Sequence, residues 1–247
     1  MARSFVEPAV FLSALFLFFQ GASQALSLPL APPADIGERP AAAFITGQNV
    51  NLRGTPSMTG EILGRLSGIS QEELVVVDCS LAKDGSWWYR ILSERVGEGW
   101  VNGHFLEFQG LEDGLRRFCL GIRRDFGVTR DLAGKNLGKP QRTETISLNP
   151  EDMRVPVTES VYVYPFGKVV FWSWGGKDFL FSVQVTGRRS FGGIWPGDGT
   201  EKVLRFLGSP REAQNRVWTW HSGMERISIS FGADARAERL VYERDPF

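Results

Sequence analysis

The sequence predicts two folded parts in tandem: a small all-β barrel, then an α+β domain made of two tandem helix-plus-antiparallel-sheet repeats. Three observations predict this. Residues 43–109 are a series of short apolar or aromatic runs broken by Gly, Pro and Asn, the pattern of a compact all-β unit. The second half aligns with itself at a constant offset, 127 to 197 and 140 to 210. In both copies a short segment with helix start and stop signals precedes alternating aromatic strands.

The N-terminus opens with a different grammar. A short segment with Arg3 leads into Val10-Phe-Leu-Ser-Ala-Leu-Phe-Leu-Phe-Phe19 and then the small-residue stretch Gly21-Ala-Ser-Gln-Ala25. Residues 1–25 therefore read as a cleaved signal peptide, since the apolar run is much shorter than the ~20 residues a spanning helix needs. With Cys79 the first cysteine, no thiol lies near the cleavage point to carry a lipid. Residues 26–42 are proline-rich without apolar period and read as an extended linker. Lys plus Arg and Asp plus Glu stand at 28 each. That balance lacks the basic stripe with which proteins displace counterions from phosphates, so nucleic acid is not an expected partner.

Within 43–109, Val50-Asn-Leu-Arg-Gly-Thr-Pro56, Ile62 to Leu66, Glu73 to Asp78, Trp87 to Leu92 and Gly99-Trp-Val101 read as successive strands. In order they carry V-N-L-R-x-x-P, the Leu66–Gly68 turn, the Trp88–Ile91 strand and a closing G-W-V. In these landmarks, from Phe44 to Phe108, the segment resembles the bacterial SH3 family. The resemblance implies an SH3-like barrel that recognises cell-wall peptide (peptidoglycan or its stem peptide) or another protein. With Trp88 and Trp100 taken as core, strand alternation puts Trp87 and Tyr89 on the opposite face. The expected ligand-binding residues are Asn51, Arg53, Trp87 and Tyr89.

Asp78-Cys79-Ser80 imitates the nucleophile motif of wall-cleaving cysteine peptidases, but its Gly is missing and it ends a strand rather than opening a helix. His104 is the nearest base, and nothing marks a third group to orient it. No catalytic residue, cofactor or metal site is expected, His104 and His221 being the only histidines. Cys79 and Cys119 either form a disulfide, as an oxidising compartment allows, or stay buried as free thiols.

Residues 110–247 hold the repeat, with copies at about 111–190 and 191–247. Gly127-Val-Thr-Arg-Asp-Leu-Ala-Gly-Lys-Asn-Leu-Gly-Lys-Pro140 matches Gly197-Asp-Gly-Thr-Glu-Lys-Val-Leu-Arg-Phe-Leu-Gly-Ser-Pro210. In each a capping residue opens a short helix that Gly stops, with Pro just beyond. The unit resembles small outer-membrane assembly lipoproteins of the SmpA/BamE type, and two in tandem resemble the β-lactamase-inhibitor-protein fold. Alternation puts Trp218, Trp220, Ile227, Ile229 and Phe231 under the helices, and likewise Trp172, Trp174, Phe179, Phe181 and Val183. The opposite set, Phe171, Ser173, Gln184, Thr219, His221 and Arg226, is the expected protein-binding face.

The expected whole is an exported, non-catalytic binding or adaptor protein of the periplasm or cell envelope, without a membrane span in the mature chain. Its partners would be peptidoglycan and an envelope protein. An inhibitor of an envelope enzyme and an outer-membrane assembly factor are the alternatives, with a wall hydrolase last.

Overall fold

β-Branched and aromatic runs become strands over most of the chain: the computed structural model, which describes residues 35–149 and 155–245, is 48% strand and 17% helix. The proposed signal peptide lies outside the described residues. So does the start of the proposed linker. The remainder of that linker is packed: Ile36 is buried in the first core, and the first strand begins before residue 43.

The first seven strands are β1 (Ala41–Ile45), β2 (Val50–Arg53), β3 (Ile62–Leu66), β4 (Leu74–Leu81), β5 (Trp87–Ser93), β6 (Gly97–Asn102) and β7 (Leu106–Gln109). They form one antiparallel sheet in the order β3-β2-β6-β5-β4-β1-β7. Leu66 of β3 and Leu106 of β7 stand at opposite ends of that order yet pack on one core with Leu52, Leu74, Val76, Ile91 and Val101. Such sharing requires the sheet to roll on itself.

The chain then forms α1 (Gly114–Phe126), capped by Asp113, whose side chain accepts from the Arg116 amide at 2.9 Å. At its other end Gly127 takes a φ of 85°, and a Cβ there would lie 2.4 Å from the Ala133 nitrogen, so only glycine allows the next helix to come this close. That next helix is α2 (Arg130–Leu137), capped by Thr129. Helix α1 is buried on two sides. Leu120 packs with Val128, Leu132 and the outer residues Ala42, Val75, Val77 and Leu92 of the rolled sheet. Phe118, Cys119, Ile122 and Phe126 enter the core of the second sheet. At roughly 1.5–3 kcal/mol for each large apolar side chain buried, both contacts stabilise strongly.

Next come β8 (Arg142–Leu148), β9 (Val157–Tyr164), β10 (Gly167–Trp174) and β11 (Lys177–Val185). After them stand α3 (Thr200–Leu207), β12 (Glu212–Gln214), β13 (Val217–Ser222), β14 (Glu225–Phe231) and β15 (Ala237–Arg244). These strands overturn the expected α+β domain of two helix-plus-sheet repeats. They make a single eight-stranded antiparallel sheet, β12-β13-β14-β15-β11-β10-β9-β8, in a chain with only three α-helices among the described residues. The physical reason is the pairing of β15 with β11 from Ser182↔Glu243 to Val185↔Leu240. It removes what would be two inner edges and fuses the strands over one core.

Charge as well as apolar surface joins the sheets. Glu94, at the end of the β5 hairpin, is buried and receives Arg123 of α1 at 3.2 Å, Lys177 at 3.1 Å and Arg244 of β15. Arg123, fully buried, also reaches Glu73 at 2.5 Å, and Arg116 pairs with the same carboxylate. Burial by itself would raise the Glu94 carboxyl, but Arg244, Arg123 and Lys177 outweigh it and hold it below its ordinary value. Glu73 is lowered in the same way, burial being overcome by Arg123 and Arg116. Beside them Glu225 is raised: burial dominates, and Arg123 and Arg244 offset it only in part, while its carboxylate accepts from Tyr242 Oη at 2.7 Å.

Candidate functional site

Helices cover one face of the eight-stranded sheet and leave the other open. The covered core takes Val169, Phe171, Leu180, Val183, Trp220, Ile227, Ile229, Phe231, Leu240 and Tyr242, together with Val203 and Leu207 of α3. Trp220 also caps α3, its indole N–H donating to the Gly208 carbonyl at 3.1 Å. In β13 and β14 the faces follow the alternation read from sequence: Trp220, Ile227 and Ile229 are buried, while His221 and Arg226 are exposed.

In β10 and β11 they do not. The register between these strands shifts from Val170↔Ser182 to Phe171↔Leu180, leaving Phe181 as an extra residue in a β-bulge. Phe171 is 0% exposed in the core rather than outward. Ser173 shares its parity and donates to Asp178 Oδ1 at 2.7 Å, the carboxylate that binds Arg130 at the start of α2. Both are therefore removed from the expected binding face. In exchange, Trp172 and Phe181, expected inward, leave the core. Their rings stack with centroids 4.2 Å apart, and the Trp172 indole N–H donates to Glu159 Oε2 at 2.9 Å. Trp174 is only half-buried, whereas Phe179 is buried beneath the Arg244 guanidinium, 4.2 Å from its ring centroid.

The stacked pair forms one wall of a cleft of about 530 Å³, completed by His221, Met224, Arg226 and Glu243. Met224 is 62% exposed in the two-residue turn between β13 and β14. Arg226 is held upright by Glu243 on the neighbouring strand, Nε to Oε2 at 2.8 Å. Thr219 lies within 3.4 Å of the Ser228 hydroxyl, and Gln184 accepts from Arg239 at 3.0 Å, so the expected residues Gln184, Thr219, His221 and Arg226 do share one surface. The cleft itself is lined by Trp172, Phe181 and Met224, which the sequence reading missed, beside His221 and Arg226 but not Gln184 or Thr219. Nothing in the Phe179-Leu-Phe181 run marks the bulge, since strict alternation places Trp172, Trp174, Phe179 and Phe181 together on one side.

The residues expected to bind ligand on the rolled sheet are not brought together. Tyr89 is 1% exposed inside the roll, and burial pushes its hydroxyl up to about 12. Trp87 packs half-buried against the same core, Asn51 is half-buried, and Arg53 donates to the Gly60 carbonyl at 2.7 Å. Alternation misleads there because β5 is covered on both faces: Trp88 is buried too, as are Ile91 toward the roll and Leu92 toward α1.

Cys79 and Cys119 are free thiols in separate cores, one against the roll and one on the face of α1 that packs on the eight-stranded sheet, which rules out the disulfide alternative in this structure. Burial, reinforced by Asp78, raises the Cys79 thiol, the opposite of what a nucleophile requires. Among the described residues no group of three or more His, Cys, Asp or Glu side chains could hold a metal ion, and no helix is long and apolar enough to cross a membrane.

No family model matches this chain, and no curated protein does. Among solved structures it is similar to a DUF4309 family protein (YjgB) from Bacillus subtilis subsp. subtilis str. 168, with 13% identity and a TM-score of 0.31, covering 52% of this chain and 93% of that one. A likeness of that size carries no argument about function.

Proposed function

We propose that the chain is a non-catalytic binding protein of the bacterial envelope, which holds a protein partner on the open face of its eight-stranded sheet. One observation carries this reading: Trp172, Phe181, Met224, His221 and Arg226 line a cleft on the face that no helix covers. Trp, Met and Arg are the residue types that dominate the centres of protein interfaces, and the paired strands beneath them keep the surface rigid, which limits the entropy lost on binding. The raised Cys79 thiol speaks against Cys79 as a nucleophile. Export to the envelope rests on the N-terminal signal grammar, and the SH3-like landmarks make the wall a second possible attachment point.

A photo-crosslinking residue at Met224, in cells expressing the full chain, tests the reading against a control at Glu201 on the helix-covered side. Crosslinking to one discrete protein from position 224, lost when Arg226→Glu is added, is the expected result. Equal crosslinking from both positions, or capture insensitive to Arg226→Glu, overturns it.

A further inference from the structure

The two edges of the eight-stranded sheet are unlike. At one end β12 has three residues, follows Pro210 and leads into Asn215 and Arg216, both at positive φ, so it is too short and irregular to template another strand. At the other end β8 is regular over Arg142–Leu148, pairs with β9 at every position, and has no strand on its outer side among the described residues. Its residues are exposed up to the half-buried Leu148. Edge charges ordinarily repel a second strand, but here Arg142 and Glu144 neutralise each other at 2.9 Å.

We propose that β8 pairs antiparallel with β8 of a second copy of this chain, about a two-fold axis at Thr145, joining two eight-stranded sheets into one. The sequence of the strand selects this register. With Thr145 opposite its own copy, Thr143 faces Ser147, Glu144 faces Ile146 and Arg142 faces Leu148, so the whole strand is used and hydroxyls meet hydroxyls on one face. Pro140 then stands just outside the paired segment, where its missing amide costs nothing. Moving the axis to Glu144 opposes two carboxylates. Moving it to Thr143 sets Pro140 against Ile146, and moving it to Ile146 leaves Arg142 without a partner inside the strand, so each sacrifices ladder bonds. The occupant is a second copy because, with Thr145 on the axis, the hydroxyl face of Thr143, Thr145 and Ser147 is complementary to itself and every residue of β8 finds a partner. An isologous pairing also closes, leaving the short β12 edges outermost.

The test uses the chain with its native thiols, Cys79 half-buried and Cys119 buried. Opposed residues in an antiparallel pair have Cα atoms ~4.5–5.5 Å apart, within reach of a disulfide, whereas a residue one position from the axis lies beyond reach of its own copy. Thr145→Cys is expected to give a covalent dimer under mild oxidation. Glu144→Cys should give several-fold less, and the parent chain none. Sedimentation equilibrium should show the parent as a dimer and Thr145→Pro as a monomer with unchanged circular dichroism. A parent chain that stays monomeric to its solubility limit, or equal crosslinking at 144 and 145, overturns the proposal. If Thr145→Pro unfolds, the cysteine pair still decides.

Discussion

The rolled sheet and the eight-stranded sheet are made of similar strands but are covered differently. In the first, β4 places Leu74 and Val76 inside the roll and Val75 and Val77 under α1, so both faces are dry and the strand reads as an unbroken apolar run. In the second, β14 alternates buried Ile227 and Ile229 with Arg226 and Ser228, because helices cover only one side. The difference separates two duties. A sheet buried twice can anchor but has little surface left with which to recognise anything, whereas a sheet buried once keeps a rigid face for a partner.

The junction between them offers the most severe way to break this comparison. Arg123→Ala leaves Glu73 and Glu94 short of their central cation, and removing one partner from a buried ion cluster costs about 3–5 kcal/mol. Chemical denaturation should show that loss in a single transition affecting both sheets. Two separate transitions would show instead that α1 does not couple them. The two faces of the second sheet give the next contrast. Phe171→Ala should cost about 3 kcal/mol or more, and His221→Ala should stay within about 0.5 kcal/mol. Similar losses for the pair would return Phe171 to the open face.

The smallest effect is the one with a pH signature. Because the folded state raises Glu225, its contribution is fully present below the unfolded carboxyl value and lost as pH rises through the folded value. Glu94 and Glu73, being lowered, contribute above the unfolded value and lose that contribution as pH falls. Glu225→Gln keeps an acceptor for Tyr242 and should raise the melting temperature slightly at neutral pH, with no gain at acid pH. Glu94→Gln should flatten the acid limb. A melting temperature of Glu225→Gln that drops at neutral pH would mean that its carboxylate is a net stabilising member of the cluster.

Much of the strand content is legible in the sequence, because turns such as Gly223-Met224 and Gly175-Gly176 punctuate alternating runs and the helices after Thr129 and Gly199 end at Leu-Gly. Helix α1 is not, although Asp113 and Gly127 are serviceable start and stop signals. Its apolar residues point to two cores and its buried arginines occupy positions that a one-sided pattern reserves for apolar groups, so no single stripe emerges. The merging of the strands into one sheet is equally hidden, since the β11–β15 pairing depends on neither strand's local pattern. In the candidate site His221 and Arg226 follow from alternation, whereas Trp172 and Phe181 depend on one extra residue in β11 that reverses the faces beyond it.

The ion pair between Glu94 and Arg244 spans 150 positions of the chain. A polypeptide made from its N-terminus presents the rolled sheet first, with Val75, Val77 and Leu92 still wet, and Glu94 gains Arg123 long before Lys177 and Arg244 complete its set of cations. Contacts so distant along the chain form slowly and leave apolar surface available for mispairing in the interval. The protein therefore carries a long vulnerable period before its native state locks, and loss of β15 would be felt in the rolled sheet, where Glu94 would be left without Arg244.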